Sequence, residues 1–382
     1  MWAVLFYFCA GVILYSYLGY PVLLYIFSFN RKEKPGFSNG DEPAVSMIIA
    51  AYNEEKVIGL KVQNTLALDY PSSKLQIIVA AFGSTDATEA IAASFDRVLV
   101  LHEHQRKGKA AAINEAVKQA VHPIIVLTDA NTVLSTQTLK QLIAPFADEQ
   151  TGAVAGEKKV ISADGAAVSG EGMYWQYESW LKKQETKFYT VVGAAGELFA
   201  LRKELFVPVP EQTITDDFFI SINVNFQYKK VQYAANAVST ETASPSLTDE
   251  WKRKVRIAAG GIQSLSLLGK ALNPLLYPLL AFQFFSHRVL RWMFCAPALL
   301  FLFLSNLLLV LTNAGEVFLW LMILQILFYI FALIGWQLAR NNRSFFLFNI
   351  PFYIVFMHAA MLAGIVRYAN GQQSVLWEKA DR

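Results

Sequence analysis

Two groups of acidic side chains, far apart in the chain, have the types and settings that could do chemistry together. Thr128-Asp129-Ala130-Asn131 closes the apolar run from Pro123 to Leu127, and Thr215-Asp216-Asp217 opens the amphipathic run from Phe218 to Phe226. A carboxylate at the C-terminal edge of a buried strand can hold a divalent cation against a diphosphate, and a second one nearby can take a proton from a hydroxyl. That combination suits transfer of an activated sugar. Each group also has a plainer reading: Asp129 can cap a following helix, and two adjacent acids can answer the positive end of a helix dipole.

The acids can meet only if the chain between them folds to bring strand ends together. From about Pro43 to Gly261, short β-rich runs alternate with helical ones, the pattern of a doubly wound α/β domain. Val45 to Ala50, Leu75 to Ala81, Val98 to Leu101 and Pro123 to Leu127 are the predicted strands. A helix is predicted from about Glu54, with Ile58, Val62 and Leu66 as its inner stripe, and Asp86-Ala87-Thr88-Glu89 has capping-box spacing for the next. Ile113, Ala116, Val117 and Ala120 line a third, which His122-Pro123 stops. Glu171 to Lys187 reads as an amphipathic helix with Met173, Tyr177, Trp180 and Gln184 on one face, and Val191 to Arg202 as a glycine-broken stretch entering a strand. Leu247 to Leu268 is basic at its start and apolar later.

The composition places much of the chain in lipid. Of 382 residues, 54% are hydrophobic and 16% charged, well away from a soluble average. Met1 to Asn30, Trp292 to Gly315, Val317 to Ala339 and Ser344 to Val366 lack Asp, Glu, Lys and Arg, and each exceeds the roughly 20 residues that span a bilayer. Four spanning helices are therefore expected. The first has no basic n-region and no small-residue cleavage site, which favours a retained span over a signal peptide. Ala271 to Ser286, interrupted by Asn273-Pro274 and Tyr277-Pro278, reads as interfacial, so 262–290 is assigned to interfacial helices, 291–367 to three spans and 368–382 to a tail. Arg31, Lys32 and Lys34 after the first span, and His287, Arg288 and Arg291 before the second, put the intervening domain in the cytoplasm by the positive-inside rule. Arg340 and Arg343 fall on the same side, leaving both termini outside, although Arg367, Lys379 and Arg382 count against that placement of the tail. The expectation is an integral protein of a bacterial inner, plasma membrane.

Other function classes recede. A net charge of +3 gives no footprint for nucleic acid, and Cys9 and Cys295, both in apolar spans, suggest neither disulfide nor metal cluster. His102-x-His104 lacks carboxylate partners at ligand spacing and reads as a solvated strand end. The spans hold almost no ionisable residue beyond His358, which argues against a transporter.

Ala51-Tyr52-Asn53-Glu54-Glu55, Gly83-Ser84-Thr85-Asp86, the run Gly108-Lys109-Ala110-Ala111-Ala112-Ile113-Asn114, Asp129-Ala130-Asn131, Thr215-Asp216-Asp217 and Arg253-Lys254-Val255-Arg256-Ile257 follow one another in a telling order. In this the chain resembles the family 2 inverting glycosyltransferases, and specifically membrane-integrated members such as cellulose, hyaluronan and poly-N-acetylglucosamine synthases. The resemblance covers about residues 43 to 261. It implies a GT-A domain, a nucleoside diphosphate sugar as donor, a UDP-sugar first among them, and Mg²⁺ or Mn²⁺ as cofactor. Asp129 falls on the first position of the family's metal-binding motif, with Asn131 in place of the usual second aspartate. Asp217 falls on the catalytic base, with Asp216 before it. Tyr52, Glu54, Gly108 and Lys109 fall where the donor nucleotide is held, and Arg253 and Arg256 where cationic residues face the diphosphate. Lys252 and Lys254 in the same run leave open a basic helix face against anionic lipid.

Two departures bear on substrate. Ile257 stands where polymerising relatives carry a tryptophan that holds the acceptor sugar, with Trp175, Trp180 and Trp251 nearby as candidate platforms or interface anchors. Phe82 stands where relatives carry an aspartate that bonds the nucleoside. The leading expectation is metal-dependent sugar transfer to a growing polysaccharide or lipid-linked glycan, with self-association or a secretion partner if a polymer is exported. The alternatives are a polyprenyl-phosphate glycosyltransferase adding one sugar to a lipid carrier, and a non-catalytic membrane subunit that binds sugar nucleotide.

Overall fold

The computed structural model describes residues 1–29, 31, 37, 42–161, 168–194, 196–244, 246–341, 343 and 345–372. Lys32, Lys34, Ala195, Lys379, Arg382 and the side chain of Met173 lie outside the described residues. Eight strands form one mixed sheet: β1 (Val45–Ala50), β2 (Leu75–Ala80), β3 (Val98–Leu101), β4 (Ile124–Asp129), β5 (Val133–Leu134), β6 (Thr151–Ile161), β7 (Leu198–Arg202) and β8 (Lys230–Thr242). Their order is β3-β2-β1-β4-β7-β6-β8-β5. The first four run parallel, and β7 joins antiparallel between β4 and β6.

The parallel strands are near-continuous Val, Ile and Ala because helices cover both their faces. One face packs on the helices Ile58–Leu66 and Thr138–Ile143, the other on Lys109–Gln119 and Asp216–Phe226. Register puts Ala50 of β1 opposite Asp129 of β4, so both strands end on one edge. The loops after β1 and β2 are stapled across that edge. Asn53 Oδ1 accepts from Thr85 N at 2.8 Å, and Glu54 N donates to Thr88 Oγ1 at 2.7 Å. These contacts delay the first helix to Ile58, four residues past its expected start. Only half the expected capping box forms: Asp86 accepts from Thr88 N at 3.0 Å, while Glu89 turns to His102 at 2.6 Å.

Among the described residues, four helices are long and apolar enough to cross a membrane: Trp2–Ser28, Pro278–Leu311, Glu316–Arg340 and Phe346–Ala369. The second departs from expectation. It starts at Pro278, not Trp292, because Leu280, Phe284 and Val289 complete the apolar core on one face of the sheet. From Pro278 onward, the stretch read as interfacial is thus the foot of this helix, and Gln283 within it donates to Thr190 O at 2.8 Å. His287 and Arg291, read as part of a basic cluster preceding the second span, are buried in its wide-turned segment Phe285–Cys295.

Their partners come from the helix Val168–Phe188, whose buried face is also not the one expected. Trp180 is exposed, whereas Glu178, Leu181, Lys182 and Glu185 are buried. Glu178 bonds Arg291 at 2.5 Å and His287 at 3.2 Å. Glu185 bonds His287 at 2.7 Å and accepts from Tyr20 Oη at 2.7 Å. His287 and Arg291 hold the Glu178 carboxyl well below the usual carboxylate range, against the opposing pull of burial. Removing one member of a buried ion set leaves the others uncompensated. Glu178→Ala is therefore expected to destabilise the protein by about 3–5 kcal/mol, read as a fall in the unfolding midpoint in detergent, and Glu178→Ala with Arg291→Met should recover part of that loss.

Candidate active site

A cleft of about 690 Å³ opens at the carboxyl edge of the parallel strands. Tyr52, Glu54, Gly108, Lys109, Asp129, Asn131, Asp216, Asp217, Arg253 and Arg256 all line it, so every site residue expected from the sequence reaches one cavity. Phe82 and Ile257, the two departures, line it as well.

Asp129 is the last residue of β4, and its Oδ1 receives Lys109 Nζ at 2.6 Å. Lys109 opens the helix Lys109–Gln119 directly after Gly108, whose φ of 90° is a backbone state that suits glycine. Burial alone would lower the Lys109 pKa, but Asp129, Asp216 and Asp217 together raise it above the usual lysine value. Behind Asp129, the buried Lys61 donates to Thr128 Oγ1 at 2.9 Å and to Thr132 Oγ1 at 2.8 Å. Thr132 Oγ1 in turn donates to Asp129 O at 2.9 Å, so a lysine on the sheet's other face braces the turn.

Asp216 and Asp217 occupy the first turn of the helix Asp216–Phe226, where the dipole favours acids. Asp217 Oδ1 accepts from Phe218 N at 2.9 Å. Burial first, and then the neighbouring Asp216 charge, push the Asp217 carboxyl up to about 7, with Lys109 pulling the other way. A carboxylate with that affinity is matched to proton transfer near neutral pH.

Arg253 and Arg256 project from the helix Leu247–Leu267. Arg253 is engaged by Glu250 at 2.9 Å and Glu241 at 3.3 Å. Burial lowers the Arg256 pKa, opposed by Asp216 and Asp217. This helix packs directly on the last apolar helix: a Cβ on Gly364 would lie 2.4 Å from Ala258 Cβ and 3.0 Å from Val255 O. Trp251, read as a candidate platform or interface anchor, meets Phe356 of the last apolar helix edge-on at 5.5 Å.

Sequence reasoning missed Lys158, Glu241 and Arg106. Lys158 is buried in β6, bonded to Glu197 and, at 2.6 Å, to Glu241 of β8. The alternation of inward Ala237, Ser239 and Glu241 along β8 carried the signal. The Arg106 guanidinium lies 4.0 Å over the Tyr52 ring. His102 and His104 meet each other at 3.1 Å outside the cleft.

Asp129 fits a divalent cation: it is a hard oxygen donor, partly exposed to the cleft, and Oδ1 already holds a cationic group. Among the described residues no three His, Cys, Asp or Glu side chains gather as a complete metal site. An ion that takes the rest of its shell from phosphate oxygens and water needs none.

A mixed sheet with this order, a cleft at its carboxyl edge and acids converging there define a GT-A-like glycosyltransferase fold. Residues 46–207 match the family described as "Glycosyl transferase family 2". It is 29% identical over 251 residues to a beta-monoglucosyldiacylglycerol synthase of Synechocystis, covering 61% of this chain and 52% of the relative. It is 25% identical over 247 residues to a poly-beta-1,6-N-acetyl-D-glucosamine synthase of Staphylococcus aureus, covering 62% of this chain and 59% of the relative. The chain thus spans little more than half the length of these curated relatives. In fold it is similar to the mannosyltransferase PcManGT from Pyrobaculum calidifontis, solved in complex with GDP-Man and Mn²⁺. That likeness has a TM-score of 0.72 at 21% identity and covers 97% of this chain and 100% of the other.

With Asp217 as the group that must be unprotonated, kcat/KM for sugar transfer is expected to rise with pH through about 7, since below that value the carboxyl already holds a proton. A pH series on the purified chain reads this limb. A profile flat across neutral pH would remove the assignment.

Proposed function

We propose that this chain is a metal-dependent inverting glycosyltransferase that moves a sugar from a nucleoside diphosphate donor to a hydroxyl of a glycan or lipid acceptor at the cytoplasmic face of a membrane. The observation that carries this reading is the convergence of Asp129 and Asp217 on one cleft beside Lys109. A divalent cation held by Asp129, with the Asn131 amide oxygen as a second donor, would neutralise charge on the departing diphosphate.

The chain's own groups do the rest. The amino end of the helix Lys109–Gln119, with Lys109 itself, suits an anion. Arg256 and Arg253 add positive charge from the opposite wall, where charge grows on the leaving oxygen. Arg106 and Tyr52 form a flat stack suited to a nucleobase, and Phe82 offers a ring in place of a hydrogen-bonding acid. Asp217 takes the proton of the acceptor hydroxyl as that oxygen bonds to the anomeric carbon and the bond to diphosphate breaks. One displacement inverts the centre and needs a single base. Arg31, the described member of the first basic cluster, and Arg340 and Arg343 support the cytoplasmic placement.

Single-sugar transfer to a lipid is favoured over polymerisation by two observations. Ile257 supplies no ring at the acceptor position, and the cleft wall continues onto Met357, Ala360 and Met361 of the last apolar helix. The test supplies the chain in lipid with labelled nucleotide sugars, with and without Mn²⁺, and sizes the product. Asp217→Asn should lower transfer by about 10²–10⁴-fold with donor binding retained, and Asp129→Ala should weaken metal-dependent donor binding. Normal turnover by the Asp217 variant would sink the base assignment.

A further inference from the structure

The end of the cleft nearest the apolar helices holds a cationic cluster that the transfer chemistry does not use. Trp175, on the helix Val168–Phe188, is ringed by three ammonium groups: Lys158 at 5.4 Å, Lys182 at 5.5 Å and Lys254 at 6.0 Å from the ring centroid. Two of them are answered in kind. Lys158 is held by Glu197 and Glu241, and Lys254 by Glu250 at 3.1 Å.

Lys182 is different. It is 3% exposed and lines the cleft, yet among the described residues no carboxylate lies within ion-pair distance of its Nζ, which rests on the faces of Trp175 and Tyr233. Glu157, the nearby acid on β6, is turned to Ser179 Oγ at 2.7 Å and to the Tyr233 hydroxyl. Burial pulls the Lys182 pKa down, opposed by the more distant Glu178 and Glu157. A buried ammonium without a counter-ion is costly, and an anion entering the cleft would relieve that cost. The same end of the cleft is walled by Met357, Ala360 and Met361, so whatever reaches Lys182 there passes an apolar surface continuous with a helix suited to lipid.

We propose that this end of the cleft is the acceptor subsite and that it takes a lipid with a phosphate-bearing anionic head group, the phosphate against Lys182 and the acyl chains along Met357 and Met361. The proposal rests on the glycosyltransferase reading above, to which it adds the acceptor class.

The test uses the full chain in neutral detergent and measures retained lipid by native mass spectrometry, with phosphatidylglycerol, diacylglycerol and inorganic phosphate as probes. Wild type is expected to retain phosphatidylglycerol in preference to diacylglycerol. Lys182→Met should weaken that retention roughly tenfold, the loss of one charge-assisted hydrogen bond, and Lys182→Arg should restore most of it. Equal retention of the two lipids by wild type, or no effect of Lys182→Met, overturns the proposal. Displacement of phosphatidylglycerol by millimolar inorganic phosphate would show a site for a free anion and overturn the lipid assignment. Binding of the nucleotide-sugar panel with Mn²⁺ is measured on the same samples: its absence sinks the underlying enzyme reading, whereas intact donor binding without lipid discrimination sinks the subsite alone.

Discussion

Ions leave water only in company, and that constraint decides how this molecule is put together. Glu178, Glu185, His287 and Arg291 are each buried where the α/β domain meets the apolar helices, and each would cost several kcal/mol there alone. They can be satisfied only when the first apolar helix, the helix Val168–Phe188 and the helix Pro278–Leu311 arrive together. Tyr20 from the first of these closes the set on Glu185. The domain is therefore joined to its apolar helices through polar chemistry as well as through the shared core at Phe284 and Val289. The cleft opens beside that joint, and Gly193, Ala194, Gly196 and Glu197, which follow the same helix in the chain, line it.

Within the cleft a similar logic sets reactivity. Burial and the neighbouring Asp216 charge push the Asp217 carboxyl up, and Lys109 relieves part of that. A carboxyl raised toward neutrality results from opposed influences, not from any single contact. The brace from Lys61 through Thr132 serves the same end on β4, since a turn held by three side chains keeps its carboxylate aimed into the cleft.

The parallel strands were legible because each is a short run rich in Val and Ile, too short for a buried helix. Asp129 and Asp217 were legible because strand ends and helix starts are marked locally. What the sequence hid was which side of an element faces inward once charge is paired. The helix Val168–Phe188 shows an apolar stripe through Trp180, yet buries Glu178 and Glu185, because their partners lie over a hundred residues away on the helix Pro278–Leu311. His287 and Arg291 were misread for the same reason. Pro274 and Pro278 looked like breaks in a surface segment, but Pro278 occupies the first turn of a helix, where its missing N–H costs nothing.

The absence of a side chain at Gly364 lets the arginine-bearing helix lie almost backbone to backbone on the last apolar helix. Set in a bilayer, that last helix tilts to match its hydrophobic length to the local hydrocarbon thickness. With no cushion of side-chain atoms between the two, such a tilt would be handed on to the helix that carries Arg253 and Arg256. On the proposed reading, the shape of the cleft would then answer to the acyl-chain length of the surrounding lipid as well as to the protein.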